Sequence, residues 1–108
     1  MAASIAGVGM NRRGHAGRVD LNHAECVKAL RSAGMMATST AMLGNGFADI
    51  IVGYRGLNIL LEIKSEGGRM TSDERQFHLT WAGQVAVASS PEEAVIAVVE
   101  HCKKMGVL

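Results

Sequence analysis

"GFADIIVGYRGLNILLEIK", residues 46–64, is two apolar runs around a tight turn. The runs on either side of Arg55-Gly56 predict an antiparallel hairpin, with strands near 48–54 and 58–64. Three charges break its apolar character: Asp49 opens the first strand, and Glu62 and Lys64 interrupt the second near its end. Strand side chains alternate, so Glu62 and Lys64 share a face with Leu60, while Ile59, Leu61 and Ile63 take the other. A two-residue loop pairs 54 with 57 and 53 with 58, and so sets Asp49 opposite Glu62, with β-carbons about 5 Å apart. A three-residue loop would shift the register by one and separate the two carboxylates.

Like charges facing each other across a ladder cost stability unless a cation lies between them. Two hard oxygen donors plus water are what Mg²⁺ takes. An ammonium on the same face can orient a bound water or stabilise charge developing on a phosphate. This set therefore points to phosphodiester hydrolysis. A purely structural reading stands beside it: Asp49 caps the start of its strand after Gly46, and Glu62 with Lys64 forms a solvated edge pair.

Outward from the hairpin, residues 20–108 read as one domain. "NHAECVKALRSAG" predicts a helix with Asn22 as N-cap, Val27, Leu30 and Ala33 at helical spacing, and Gly34 as the stop. "MMATSTAMLGNG" reads as a connector or short irregular strand. "TSDERQFHLTW" is a helix with Thr71 and Glu74 at capping-box spacing. "QVAVA" is a short apolar strand, covered on both faces and joined in parallel through the preceding helix. "SPEEAVIAVVEHCKKMG" is the last helix, with Ser90 as cap, Pro91 at its first position and Lys103-Lys104 before Gly106. The expected fold is α/β, in the order α-β-β-α-β-α: a small mixed β-sheet flanked by helices.

Residues 1–19, glycine-rich, aperiodic and basic, read as a flexible N-terminal arm. The G-x-G within them lacks a preceding strand and the third glycine of a dinucleotide site. The 108 residues carry a net charge of +1, yet five bases (Arg12, Arg13, Arg18, Lys28, Arg31) face two acids (Asp20, Glu25) up to residue 31. A 48% hydrophobic content with four aromatics implies an aliphatic and methionine core, and suits a dimer interface. Cys26 and Cys102 show neither metal-type spacing nor a disulfide framework, which fits a reducing cytoplasm. No apolar run reaches the ~18 residues of a membrane span.

Asp49, a twelve-residue spacer, then Glu62-Ile63-Lys64 resembles the PD-(D/E)XK nuclease motif. With "NHAE", "GFAD", "VGYRG", "LLEIK", "MTSDERQFHLTW" and "GQVAVASSPEEA", the chain from about Val19 to Ala97 resembles the small stand-alone VRR-NUC nucleases of phages and prophages. The resemblance implies a restriction-endonuclease-like core and an endonuclease dependent on Mg²⁺ or Mn²⁺, with no small-molecule cofactor. It makes Asp49 and Glu62 the metal carboxylates, the Ile63 carbonyl a further ligand and Lys64 the catalytic lysine. Glu25 matches a helix acid that completes the metal shell, though its spacing from Asn22 equally fits a capping box. The implied substrate is branched DNA such as a four-way (Holliday) junction, cut by a homodimer in the cytoplasm (the host's, for a phage-encoded protein). Its rivals are a nonspecific nickase or flap nuclease, a catalytically silent DNA-binding module, and an oligomeric structural domain without a DNA role.

The chain departs from the family pattern twice. Ala48 replaces the proline before the aspartate, and Glu74 stands where many relatives have glutamine, with Gln76 on another helical face. Arg12, Arg13, Arg69 and Arg75 are candidate phosphate contacts, although solvated surface arginines are common. His78 reads as packed or exposed rather than as a ligand. Phe77 and Trp81, four apart, read as a core stripe, and the seven methionines as core filler.

Overall fold

The hairpin folds with the short loop. Arg55 and Gly56 both have positive φ, 51° and 85°, the conformation of a type I′ turn, whose twist matches the strands it joins. β2 (Ile50–Tyr54) and β3 (Leu57–Ile63) pair from Tyr54↔Leu57 to Ile50↔Leu61, the register that points Asp49 toward Glu62.

The computed structural model describes residues 16–65 and 67–108. Arg12, Arg13 and most of the expected arm lie outside them. In chain order the elements are α1 (Ala16–Ser32), β1 (Met36–Ser39), a 3₁₀ turn (Ala41–Leu43), β2, β3, α2 (Ser72–Thr80), β4 (Gln84–Ala88) and α3 (Pro91–Lys104). The four strands form one mixed sheet in the order β1-β2-β3-β4. β1 and β2 pair antiparallel, as do β2 and β3, and β4 lies parallel to β3 after the crossover through α2. The chain is a mixed α/β domain with helices flanking the sheet.

One face of the sheet carries the core. Ala37, Ile50, Val52, Ile59, Leu61, Ile63 and Ala88 pack against Cys26 and Leu30 of α1 and Ala94, Val98 and Cys102 of α3. Each buried aliphatic side chain contributes on the order of 1.5–3 kcal/mol. Both cysteines are free thiols within it. The α1–β1 corner is tied by Arg31, whose Nε and Nη2 donate to the Ala37 carbonyl at 3.2 and 2.9 Å. α3 begins as expected, with Ser90 Oγ accepting from the Glu93 amide.

The structure corrects several expectations. α1 starts at Ala16, so Asn22 is interior rather than a cap, and residues 16–19 are helical rather than part of an arm. Ala16, Arg18 and Leu21 are good helix formers that extend the element backward without a cap signal. Residues 36–39 form an added strand, giving the order α-β-β-β-α-β-α. β4 is an edge strand whose Val87 is exposed, so its outer face is not covered. Among the described methionines only Met35 is in the core cluster, while Met36, Met42 and Met105 are exposed. Phe77 and Trp81 stack at 5.0 Å and meet Phe47, but on the surface rather than in the core, with Trp81 41% exposed.

The "GFAD" segment sets the distance between β2 and α2. Gly46 has a φ of +81°, and a β-carbon there would lie 2.6 Å from the Asp73 carbonyl oxygen. Gly56 also has positive φ but meets nothing within 4 Å. Gly46→Ala is therefore expected to cost about 2–4 kcal/mol, and Gly56→Ala about 1 kcal/mol, from strain alone. Urea denaturation of the two variants measures both values; equal losses would remove the close approach as a constraint.

Candidate active site

Asp49 is fixed from three directions. Its amide donates to the Leu61 carbonyl at 2.9 Å, and its carbonyl accepts from the Thr40 amide at 2.7 Å. Its Oδ2 accepts from the Ile63 amide at 2.8 Å. The carboxylate thus takes the place of a backbone acceptor at the end of the β2–β3 ladder, which holds it beside the strand that carries Glu62. Thr40 Oγ1 donates to the Ala48 carbonyl at 2.8 Å and steadies the preceding residue.

Glu62 is 1% exposed and is the buried charged residue among the described positions. Burial pushes its pKa up to about 8, with the Asp49 and Glu74 charges adding to the effect and Lys64 opposing it. Its Oε1 is buried and meets no hydrogen-bond donor. An orphan carboxylate oxygen of this kind costs on the order of 1–3 kcal/mol or more unless a proton or a cation reaches it.

Lys64 lies on the same face, its amide bonded to the Ala88 carbonyl at 2.9 Å. Its Nζ is 3.4 Å from Glu62 Oε2 and 2.7 Å from Glu74 Oε1. Burial works against the ammonium, but the Glu74 hydrogen bond and the charges of Glu62 and Glu74 outweigh it and hold its pKa above the ordinary lysine value. Glu74 is buried enough to disfavour its charge, yet the hydrogen bonds from Lys64 and the Thr71 amide bring its pKa below the usual glutamate value. Of the two candidates on α2, Glu74 reaches the site. Gln76 is exposed.

His78, one turn after Glu74, is half-buried with its Nε2 shielded and without a hydrogen-bond partner. Burial lowers its pKa; the charges of Glu74 and Asp49 counter this and that of Lys64 adds to it. The i, i+4 spacing of Glu74 and His78 was the available signal. Glu25 is exposed on α1. The Cys26 thiol beside it is pushed up to about 11 by burial, then by the charges of Glu92, Asp49 and Glu25. Among the described residues no three His, Cys, Asp or Glu side chains converge as a ligand set. Arg69 precedes α2 and Arg75 lies on it, both exposed.

The pair fits a hard divalent cation: two carboxylates side by side, one with a shielded oxygen that nothing donates to. Comparison with protein-family models, curated proteins and solved structures finds no match.

The Glu62 environment sets a pH dependence for the metal-free protein. Folded Glu62 keeps its proton to about pH 8, whereas a free glutamate side chain loses it near 4.5. Between these values folding takes up a proton, so stability falls as pH rises, by at most about 1.4 kcal/mol per pH unit. The depressed His78 pKa contributes with the opposite sign and is common to a Glu62→Gln variant. Denaturant unfolding from pH 5 to 8 should show wild type losing stability relative to Glu62→Gln. Parallel profiles would refute the buried, protonated Glu62.

Proposed function

We propose that this chain is a Mg²⁺- or Mn²⁺-dependent endodeoxyribonuclease that hydrolyses phosphodiester bonds, selective for branched DNA such as four-way junctions. The observation that carries this reading is the shielded, donor-less oxygen of Glu62 beside Asp49, with the Lys64 ammonium on the same face.

Asp49 and Glu62 would hold the ion, with the Ile63 carbonyl and Glu25 as the further donors implied by the resemblance. When bound, the ion polarises a phosphoryl oxygen and lowers the pKa of a water to make it a nucleophile at neutral pH. The protein's own residues supply placement and charge. The Ile63 amide orients Asp49. Lys64, held as an ammonium between two carboxylates, presents positive charge where a phosphate gains negative charge as it is attacked. Exposed Arg69 and Arg75 lie on the α2 side and supply sequence-independent backbone contacts. Two symmetric cuts in a junction call for a two-fold homodimer.

Purified protein incubated with labelled linear, nicked, flapped and four-way-junction DNA, with EDTA, Mg²⁺ or Mn²⁺, tests the proposal. The expected result is paired, metal-dependent cuts in the junction, abolished in an Asp49→Ala, Glu62→Ala variant. Cleavage of nicks and flaps with the junction left intact would replace junction resolution by a nickase or flap activity. DNA binding that persists equally in both proteins, with no cutting under any metal, would make the chain a binding module.

A further inference from the structure

Lys64 has two carboxylate partners, and they are not equivalent. Nζ is 2.7 Å from Glu74 and 3.4 Å from Glu62, so the closer hydrogen bond comes from α2 and not from the lysine's own strand. The Glu74 oxygen involved is itself tethered. Oε1 accepts both from Lys64 and, at 2.9 Å, from the Thr71 amide. The Thr71 hydroxyl in turn accepts from the Glu74 amide at 3.1 Å, completing the capping box of α2. The first turn of α2 is seated by the approach of the Asp73 carbonyl to Gly46, which leaves no room for a β-carbon. A single oxygen thus joins the helix cap to the lysine of the site.

A cation held by Asp49 and Glu62 would draw on the Glu62 charge and repel the ammonium beside it. Glu74 is the partner that remains. We infer that Glu74 is a positioning residue that acts through Lys64, keeping the ammonium fixed on the site's face when Glu62 is otherwise engaged. This rests on the nuclease reading for its purpose, but the clamp itself is a property of the metal-free protein.

NMR of the lysine ammonium groups in the full-length, metal-free protein tests the clamp. The chain has four lysines, Lys28, Lys64, Lys103 and Lys104, so Lys64→Arg assigns the signal. The Lys64 ammonium should reorient and exchange with water more slowly than those of exposed Lys103 and Lys104. Glu74→Ala should bring it to their level. Glu74→Gln, which keeps an acceptor oxygen for both donors, should retain most of the restraint. Thr71→Ala removes the hydroxyl cap but not the amide that tethers Glu74; it should weaken α2 while leaving Lys64 restrained. A Lys64 signal as mobile as Lys103 in wild type, or loosened equally by Thr71→Ala and Glu74→Ala, would overturn the proposal.

On the junction substrate, Glu74→Ala should lower kcat about tenfold to a hundredfold with KM unchanged, with Glu74→Gln between it and wild type. A change in KM alone would also overturn it. A restrained ammonium with no DNA cut would remove the nuclease reading, and with it the clamp's catalytic purpose. A loose ammonium with cleavage intact would remove the clamp alone.

Discussion

The arrangement depends on one hydrogen bond, from the Ile63 amide to Asp49 Oδ2 at 2.8 Å. At this point the β2–β3 ladder stops pairing backbone with backbone and takes a side-chain carboxylate in its place. The substitution keeps a buried donor satisfied, as a sheet interior requires. It also fixes a negative charge at a position where the neighbouring strand presents a second one. The type I′ turn at Arg55-Gly56 makes the bond possible, because a loop one residue longer would carry Asp49 out of register.

Four ionisable side chains run outward from that bond. Asp49 faces Glu62, Glu62 faces Lys64, and Lys64 faces Glu74. The outer pair is balanced: Glu74 helps to raise the Lys64 pKa, and Lys64 lowers that of Glu74. The inner pair is not, since burial and mutual repulsion leave Glu62 holding a proton it would otherwise lose. Proteins tolerate unpaired buried carboxylates poorly, and the imbalance lies at the end of the network where the proposed cation would relieve it.

The hairpin, its register and the pairing of the two carboxylates were legible in the sequence because strand alternation and a two-residue turn leave little freedom. The caps of α2 and α3 were legible for the same local reason. β1 was legible only as one of two readings of its segment, since Ala37 is its buried residue and no periodic apolar signal surrounds it. No Ser, Thr, Asp or Asn stands just before Ala16 in the sequence to announce the start of α1. The bond between Glu74 and Lys64 was hidden for a different reason. Glu74 announced itself as half of a capping box, but how α2 returns to the sheet is set by the loop after Lys64 and by the contact at Gly46, which no local rule reads. The aromatic cluster depends on the same placement: Phe77 and Trp81 have the spacing of a core stripe, yet they meet Phe47 at the surface.

The central claim is that the Asp49–Glu62 pair is built to take a divalent cation, and binding of Mn²⁺ itself tests it most directly. In a ¹⁵N-labelled sample titrated with substoichiometric Mn²⁺, paramagnetic broadening should erase the amides of residues 49 and 62–64 first. An Asp49→Asn, Glu62→Gln variant, isosteric and folded, should lose that selectivity. Broadening spread over the surface acids, or unchanged in the variant, would contradict the account.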